Sequence, residues 1–278
     1  MRLLEFSAVI WAGAFGAGMV GSLTGLGGGV IIVPLLVIAV KVDLQYAIGA
    51  SLLAVIATSS GAAMAYLREG YSNLRVGMFL EIATTVGALA GAVLAAHVTN
   101  GLIGVVFGVV LLASAYLARH APKSTEGDGE PDRISRWLRM DSDYPTAHGA
   151  QAYRVRHIPA GFGVMFVAGA LSGLLGIGSG ALKVLAMDRV MRLPLKVSTT
   201  TSNFMIGVTA AASAGVYLSR GYIEPAVAMP VVLGVLPGAL LGARLLPAMR
   251  SAALRWLFIA VIALLGIEMI ISGAGGRL

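Results

Sequence analysis

Slid along itself by 151 positions, the sequence falls back into register without a gap. Gly18 meets Gly169, Gly25 meets Gly176, Gly27 meets Gly178, Gly29 meets Gly180, Ser51 meets Ser202 and Thr58 meets Thr209. The match runs on through Tyr66-Leu67 against Tyr217-Leu218, Gly70-Tyr71 against Gly221-Tyr222, and GALAGAVL from Gly87 against GALLGARL from Gly238. A shared bias toward glycine, alanine and leucine does not keep aromatic and polar residues in step. The chain is therefore read as a duplication, and whatever unit the first half forms, the second must form again.

Composition says what kind of unit that is. Of the 278 residues, 58% are hydrophobic and 12% charged, with a mean hydropathy of +0.87, against about 25% charged in a globular protein. Apolar runs of about 18 residues or more recur, each long enough to cross roughly 30 Å of hydrocarbon. The expectation is an all-α polytopic membrane protein. The opening MRLLEFSAVIWAGAFG lacks a strongly basic start and a clear cleavage site, so it reads as a retained first segment. There is no cysteine, which removes disulfides, thiolate metal sites and cysteine nucleophiles. The net charge of +7 points to basic loops that set orientation beside the lipid bilayer, not to nucleic acid.

Each half divides into five segments, near 6–25, 29–40, 46–67, 76–97 and 101–118, then 158–176, 180–192, 197–218, 226–246 and 254–272. The second of each set is a dozen residues, about 18 Å of helix, too short to span. The first two therefore form a hairpin with a glycine-rich tip. If each hairpin leaves and returns to the same side, the halves are inverted, and fourteen Lys and Arg collect on one face against four on the other; parallel halves divide them twelve to six. The inverted arrangement separates charge better. It puts the central loop in the cytoplasm and both termini outside the cell membrane. The expected domains are a first repeat (1–118), a cytoplasmic linker (119–157) and a second repeat (158–278). In the linker, Ile134, Trp137 and Leu138 fall on one helical face among Arg133, Arg136 and Arg139, the pattern of a short interfacial helix.

The tips GLGGGVIIVP and GLLGIGSGALK carry the functional reading. A helix breaks at membrane depth only where the freed backbone groups are buried in protein or line a watered cavity. Gly27, Gly28 and Gly29, and opposite them Gly178, Ser179 and Gly180, permit an irregular turn that leaves N–H groups uncovered before a short helix. Uncovered N–H groups and a positive dipole end suit an anion. Broken segments at matching places in inverted repeats mark the substrate site of many secondary transporters. In STTTSN (198–203), Ser202 and Asn203, with Ser51 as the repeat mate of Ser202, add hydroxyl and amide groups to the candidate site. Ser22, Thr24 and Ser172 precede the tips and could line the same cavity. The Gly87/Gly91 and Gly238/Gly242 pairs read as close helix packing.

These features together resemble the TauE/SafE sulfite exporter family: paired GxGGG-like hairpins, AIGASL at Ala47–Leu52, and a duplicated layout across nearly the whole chain. The resemblance implies carriage of small anions, often sulfur oxyanions or organosulfonates, across the cytoplasmic membrane, without cofactor or metal. The first tip, with Val33-Pro34 after it, follows the family pattern. The second departs from it at Ser179, at Lys183 and at Leu185, where there is no proline.

Lys183 replaces the Ile32 of the first repeat. A lone ammonium in hydrocarbon is costly, so its presence implies a wet cavity or an anionic partner, either Glu81 across the repeat interface or the substrate itself; the alternative is that Lys183 faces the opposite way and snorkels out along its segment. Glu81, five positions into its segment, is the candidate coupling residue, with snorkelling to the headgroups as the alternative; Glu268 and Arg244 are weaker versions of the same idea. One alternative is a transporter of a non-sulfur small solute, and the rival from another class is an intramembrane hydrolase using Ser172. A serine needs a base, however, and His97, His120, His148 and His157 all fall at segment ends or in the linker. Intramembrane carboxylates and histidines are too few for a cation or metal transporter.

Overall fold

The computed structural model describes residues 3–24, 27–119, 132–146, 149–176 and 178–275. The first half contributes α1 (Leu3–Thr24), α2 (Gly29–Pro34), α3 (Leu44–Glu69), α4 (Leu74–Leu94) and α5 (Asn100–Arg119). A central segment follows with α6 (Arg133–Leu138) and the strands β1 (Ser142–Thr146) and β2 (Gly149–Tyr153). The second half then repeats the first: α7 (Ile158–Leu175), α8 (Gly180–Leu185), α9 (Leu195–Ser219), α10 (Pro225–Leu245) and α11 (Ser251–Ala274). The protein is an all-α polytopic membrane protein. Among the described residues, five helices are long and apolar enough to cross a bilayer.

Local signals set the helix ends. Asp43 accepts a hydrogen bond from the Gln45 amide and Asn73 one from the Val76 amide, each satisfying a donor that a helix start leaves open. The short helices α2 and α8 run straight into single π-helical turns at Leu35–Ala39 and Ala186–Val190. Pro34 precedes the first and Leu185 the second. A missing proline N–H therefore does not by itself cause the π-turn, and the departure at Leu185 leaves the backbone plan unchanged.

Helix packing follows the 151-residue register. A Cβ on Gly87 would strike the Phe166 carbonyl, and one on its repeat mate Gly238 would strike that of Phe15. The pairs Gly91–Ala170 and Gly242–Met19, and Gly169–Thr84 and Gly18–Val235, correspond in the same way. So α7 lies along α4 as α1 lies along α10, backbone to backbone and parallel, and each half packs its first helix against the other half's fourth. The pairs α3 with α9 and α5 with α11 complete the bundle.

The helix ends gather into two groups. At one, Thr200 donates to the Tyr71 carbonyl at 2.9 Å, Arg75 to the Arg139 carbonyl at 2.7 Å, and the Arg156 amide to the Met191 carbonyl at 3.2 Å. At the other, Tyr46 meets Tyr222 edge-on with ring centroids 5.7 Å apart, and Arg220 donates to the Ala92 carbonyl at 2.9 Å. The α1–α2 hairpin returns to the Tyr46–Tyr222 end and the α7–α8 hairpin to the central-segment end. The two tips meet between them.

The central segment differs from the polar linker with one amphipathic turn that the sequence suggested. It contains an antiparallel hairpin pairing Ser142 with Tyr153 through to Thr146 with Gly149. Met140, Tyr153 and Val155 are buried with Val76, Leu80, Met187 and Met191. Ile134 and Leu138 pack on that cluster, whereas Trp137 is 81% exposed. The proposed shared face is thus split, because tertiary packing claims two of its three members. The Asn73 amide anchors the segment, donating to the Met140 carbonyl and the Tyr153 hydroxyl, both at 2.8 Å. Burial pushes the Tyr153 hydroxyl up to about 12, so it stays protonated at neutral pH.

Candidate functional site

Two left-handed residues in succession make each tip. In the first these are Gly27 (φ 73°) and Gly28 (φ 74°), and in the second Gly178 (φ 71°) and Ser179 (φ 53°). Serine in that conformation is strained where glycine is not. Cβ atoms built on Gly27 and Gly178 would both contact the side chains of Ile206 and Val55. Those two are themselves 151 apart and stand near the middle of α9 and α3. Both tips therefore close on one shared, pseudo-symmetric point, and Gly29 and Gly180 open the short helices beyond it with no side-chain cap on either.

Polar groups converge there from the helices behind. Ser51 donates to the Gly176 carbonyl at 2.6 Å, fastening α3 of the first half to the second tip. Asn203 donates through Nδ2 to the Ser22 carbonyl at 2.8 Å, and Ser202 makes a long 3.5 Å contact with the Gly180 carbonyl. These bonds occupy part of the capacity of the candidate ligands with tip backbone. The remainder is unspent: Asn203 Oδ1 and the Ser179 hydroxyl are buried without a hydrogen-bond partner, which normally marks a group awaiting one. Two other members of STTTSN do different work, while the Ser198 hydroxyl is buried without a hydrogen-bond partner. Thr201 accepts from the Asn73 amide at 3.0 Å and Thr200 ties to Tyr71, so both clamp the α3–α4 loop.

The helix preceding the first tip turns its hydroxyls inward on itself: Ser22 donates to the Met19 carbonyl and Thr24 to that of Val20. The Ser172 hydroxyl is buried with no hydrogen-bond partner. His157, fifteen residues before it at the start of α7, meets the Val190 carbonyl with Nδ1 and stands about 22 Å away along the helix. Glu268 lines a separate crevice with Lys41 and Asp43, remote from the tips, and Arg244 is exposed at the end of α10.

Lys183 does not snorkel, and of the two anionic partners it takes Glu81. Its side chain is fully buried, and its ammonium lies 3.3 Å from Glu81 Oε2. It also donates to the Thr209 hydroxyl, which donates in turn to Glu81 Oε1. Thr85 adds a 3.1 Å bond to the same carboxylate oxygen. Glu81 does not snorkel: its side chain is 10% exposed, at the foot of a 520 Å³ groove between α4 and α9. Sequence reasoning noticed Thr209 only as a repeat match and passed over Thr84 and Thr85. The available signal was spacing: Thr209 is seven residues beyond Ser202, two helical turns along the same face.

The comparisons with known proteins agree with one another. The family model for the sulfite exporter TauE/SafE matches residues 10–269. The probable membrane transporter protein YunE of Bacillus subtilis is 30% identical over 264 residues, covering 92% of this chain and 94% of that protein. The probable membrane transporter protein ORF9 of a Sinorhizobium species is 25% identical, covering 95% and 92%, and YdhB of Bacillus subtilis is 23% identical, covering 86% and 89%. No solved structure matches.

Proposed function

The chain belongs to the TauE/SafE sulfite exporter family, and from that premise we infer that it is a secondary transporter of small anions, sulfur oxyanions or organosulfonates. The site is the meeting point of the two tips, with Gly27, Gly28, Gly29, Gly178, Ser179, Gly180, Ser51, Ser202 and Asn203 around the substrate and Lys183 one helical turn away. The observation that carries this reading is the convergence of both left-handed turns on Ile206 and Val55, with the Ser179 hydroxyl, which can donate, buried and unpartnered at the second turn. The Ser179 hydroxyl, the second N–H of Asn203 Nδ2 and tip amides other than that of Gly27, which donates to the Gly21 carbonyl, offer hydrogen bonds to oxyanion oxygens, while Asn203 Oδ1 can only accept; a site of this kind lies where inverted-repeat transporters hold substrate. Among the described residues no base hydrogen-bonds the Ser172 hydroxyl, which favours transport over hydrolysis; His120 and His148 lie outside the described residues.

The halves are inverted in the membrane. The two hairpins come in from opposite ends, and Arg75, Arg139, Arg156, Arg192 and Lys196 lie at the end we assign to the cytoplasm, with both termini at the other. Because the chain has no cysteine, single cysteines at the exposed positions Arg75 and Thr99 will label from opposite sides of sealed vesicles; labelling from one side refutes the topology. For the substrate, a panel of sulfite, sulfate, thiosulfate, taurine-derived sulfonates and small carboxylates is read by thermal stabilisation, since a ligand of the native state raises its stability. Sulfonates or sulfur oxyanions will raise the transition. A response to cations or lipids alone rejects the assignment.

A further inference from the structure

The ion pair is joined by a residue one helical turn along α9 from the point on which both tips close. Thr209, which joins Lys183 to Glu81, is three residues along α9 from Ile206, the side chain both tips contact. The Lys183 amide itself closes the first turn of α8 on the Ser179 carbonyl at 2.9 Å. Among the described residues, no other ionisable group joins the pair. Helix α7 carries none, Lys196 and Tyr217 lie toward the two ends of α9, Tyr116 and Arg119 are at the end of α5, and Asp188 and Arg189 belong to the π-turn beyond α8. The local charge is therefore one positive and one negative, and in an apolar interior such a balance is strongly held. Adding an anion while Glu81 stays ionised would leave a net negative charge buried, the costly outcome.

We propose that anion binding at the tips is linked to protonation of Glu81. The anion takes the carboxylate's place at the Lys183 ammonium, and Glu81 takes up one proton from solvent, so the site stays neutral before and after. This rests on the anion site proposed above and adds its coupling: one proton moves with one monovalent anion. Thr85 and Thr209 then hold the neutral carboxyl. The first repeat, with Ile32 at the place of Lys183 and Val232 at that of Glu81, has no such exchange to make.

The test uses the full-length protein and methanesulfonate, a strong-acid anion whose own charge is constant between pH 5 and 8. Calorimetry in two buffers of different ionisation enthalpy will count about one proton taken up per anion, and affinity will fall about tenfold for each unit rise in pH. Infrared difference spectra of the unaltered protein will gain a protonated-carboxyl band on adding methanesulfonate. Glu81→Gln will bind it with no proton uptake and no pH dependence. Binding without proton uptake, without the carboxyl band, or with uptake that survives in Glu81→Gln overturns the linkage and leaves the anion site standing. Should Glu81→Gln not fold, the proton count and the infrared band on the unaltered protein decide. Failure to bind methanesulfonate at any pH rejects the site and the linkage together.

Discussion

The two repeats share a backbone plan and differ in one place that matters. Around the second tip, Lys183, Glu81, Thr84, Thr85 and Thr209 form a buried polar network; the positions 151 away are Ile32, Val232, Val235, Leu236 and Thr58. Of the five, only the threonine on α3 and α9 is common to both. The same helices cross at the same glycines on both sides, so the difference is not one of fold. A duplicated scaffold with an apolar copy and a charged copy of one pocket teaches that scaffold and chemistry are separable here: packing residues keep the symmetry, and a few side chains break it. In lipid a buried charge is expensive and usually functional, so the charged copy is where the chemistry should be sought.

The largest effect should come from unbalancing that network. Lys183→Met leaves the Glu81 carboxylate buried without its cation and held only by threonine hydroxyls, and will lower stability by about 3–5 kcal/mol, whereas Ile32→Met will cost under about 1.5 kcal/mol. Converting the second pocket to the first, with Lys183→Ile and Glu81→Val together, will recover most of the loss. Thermal unfolding in detergent measures all three, and similar transitions for Lys183→Met and Ile32→Met would erase the distinction between the pockets. The scaffold, by contrast, should respond symmetrically. Gly169→Ala and its mate Gly18→Ala each press a methyl into a backbone carbonyl and will cost about 1–3 kcal/mol. If one is tolerated and the other is not, the halves are not packed alike.

A smaller contrast lies in the turns. Ser179 holds a left-handed conformation that Gly28 holds without strain, so Ser179→Gly will stabilise by about 1 kcal/mol and Gly28→Ser will do the reverse. If Ser179→Gly also leaves anion affinity intact, its hydroxyl is no ligand. The smallest effect concerns the central segment, which has no counterpart. Tyr153→Phe, removing the acceptor for Asn73, will cost about 1 kcal/mol. Burial raises this hydroxyl from 10.0 to about 12, so its contribution is intact below about pH 10 and is lost as pH climbs toward 12. Limited proteolysis of the segment across that range will follow the loss, and protection that fades already near neutral pH would contradict it.

Much of the candidate site could be read from residue order because it depends on local chemistry. Left-handed turns at Gly27, Gly28 and Gly178 follow from glycine, and the brevity of α2 and α8 is visible in where their apolar runs stop. The partition within STTTSN could not be read: Thr200 and Thr201 reach a loop some 130 positions earlier, and no spacing rule chooses between that loop and the tips. The hairpin of the central segment was equally hidden. Its two five-residue strands are largely polar, and Tyr153 and Val155 are held by Val76 and Leu80, residues distant in the chain.

What the sequence determined by itself was the helical membrane class, the duplication, the broken hairpins and the presence of a buried charge needing a partner, because hydrophobic periodicity, glycine conformation and ion desolvation all act within a few residues. What only the tertiary structure decided was which anion answers Lys183. Glu81 lies 102 positions away, in the other half of the chain. Only the packing of α4 against α7 and α9 brings its carboxylate to the ammonium, because an ion pair is selected by distance in space, which a linear order of residues does not contain.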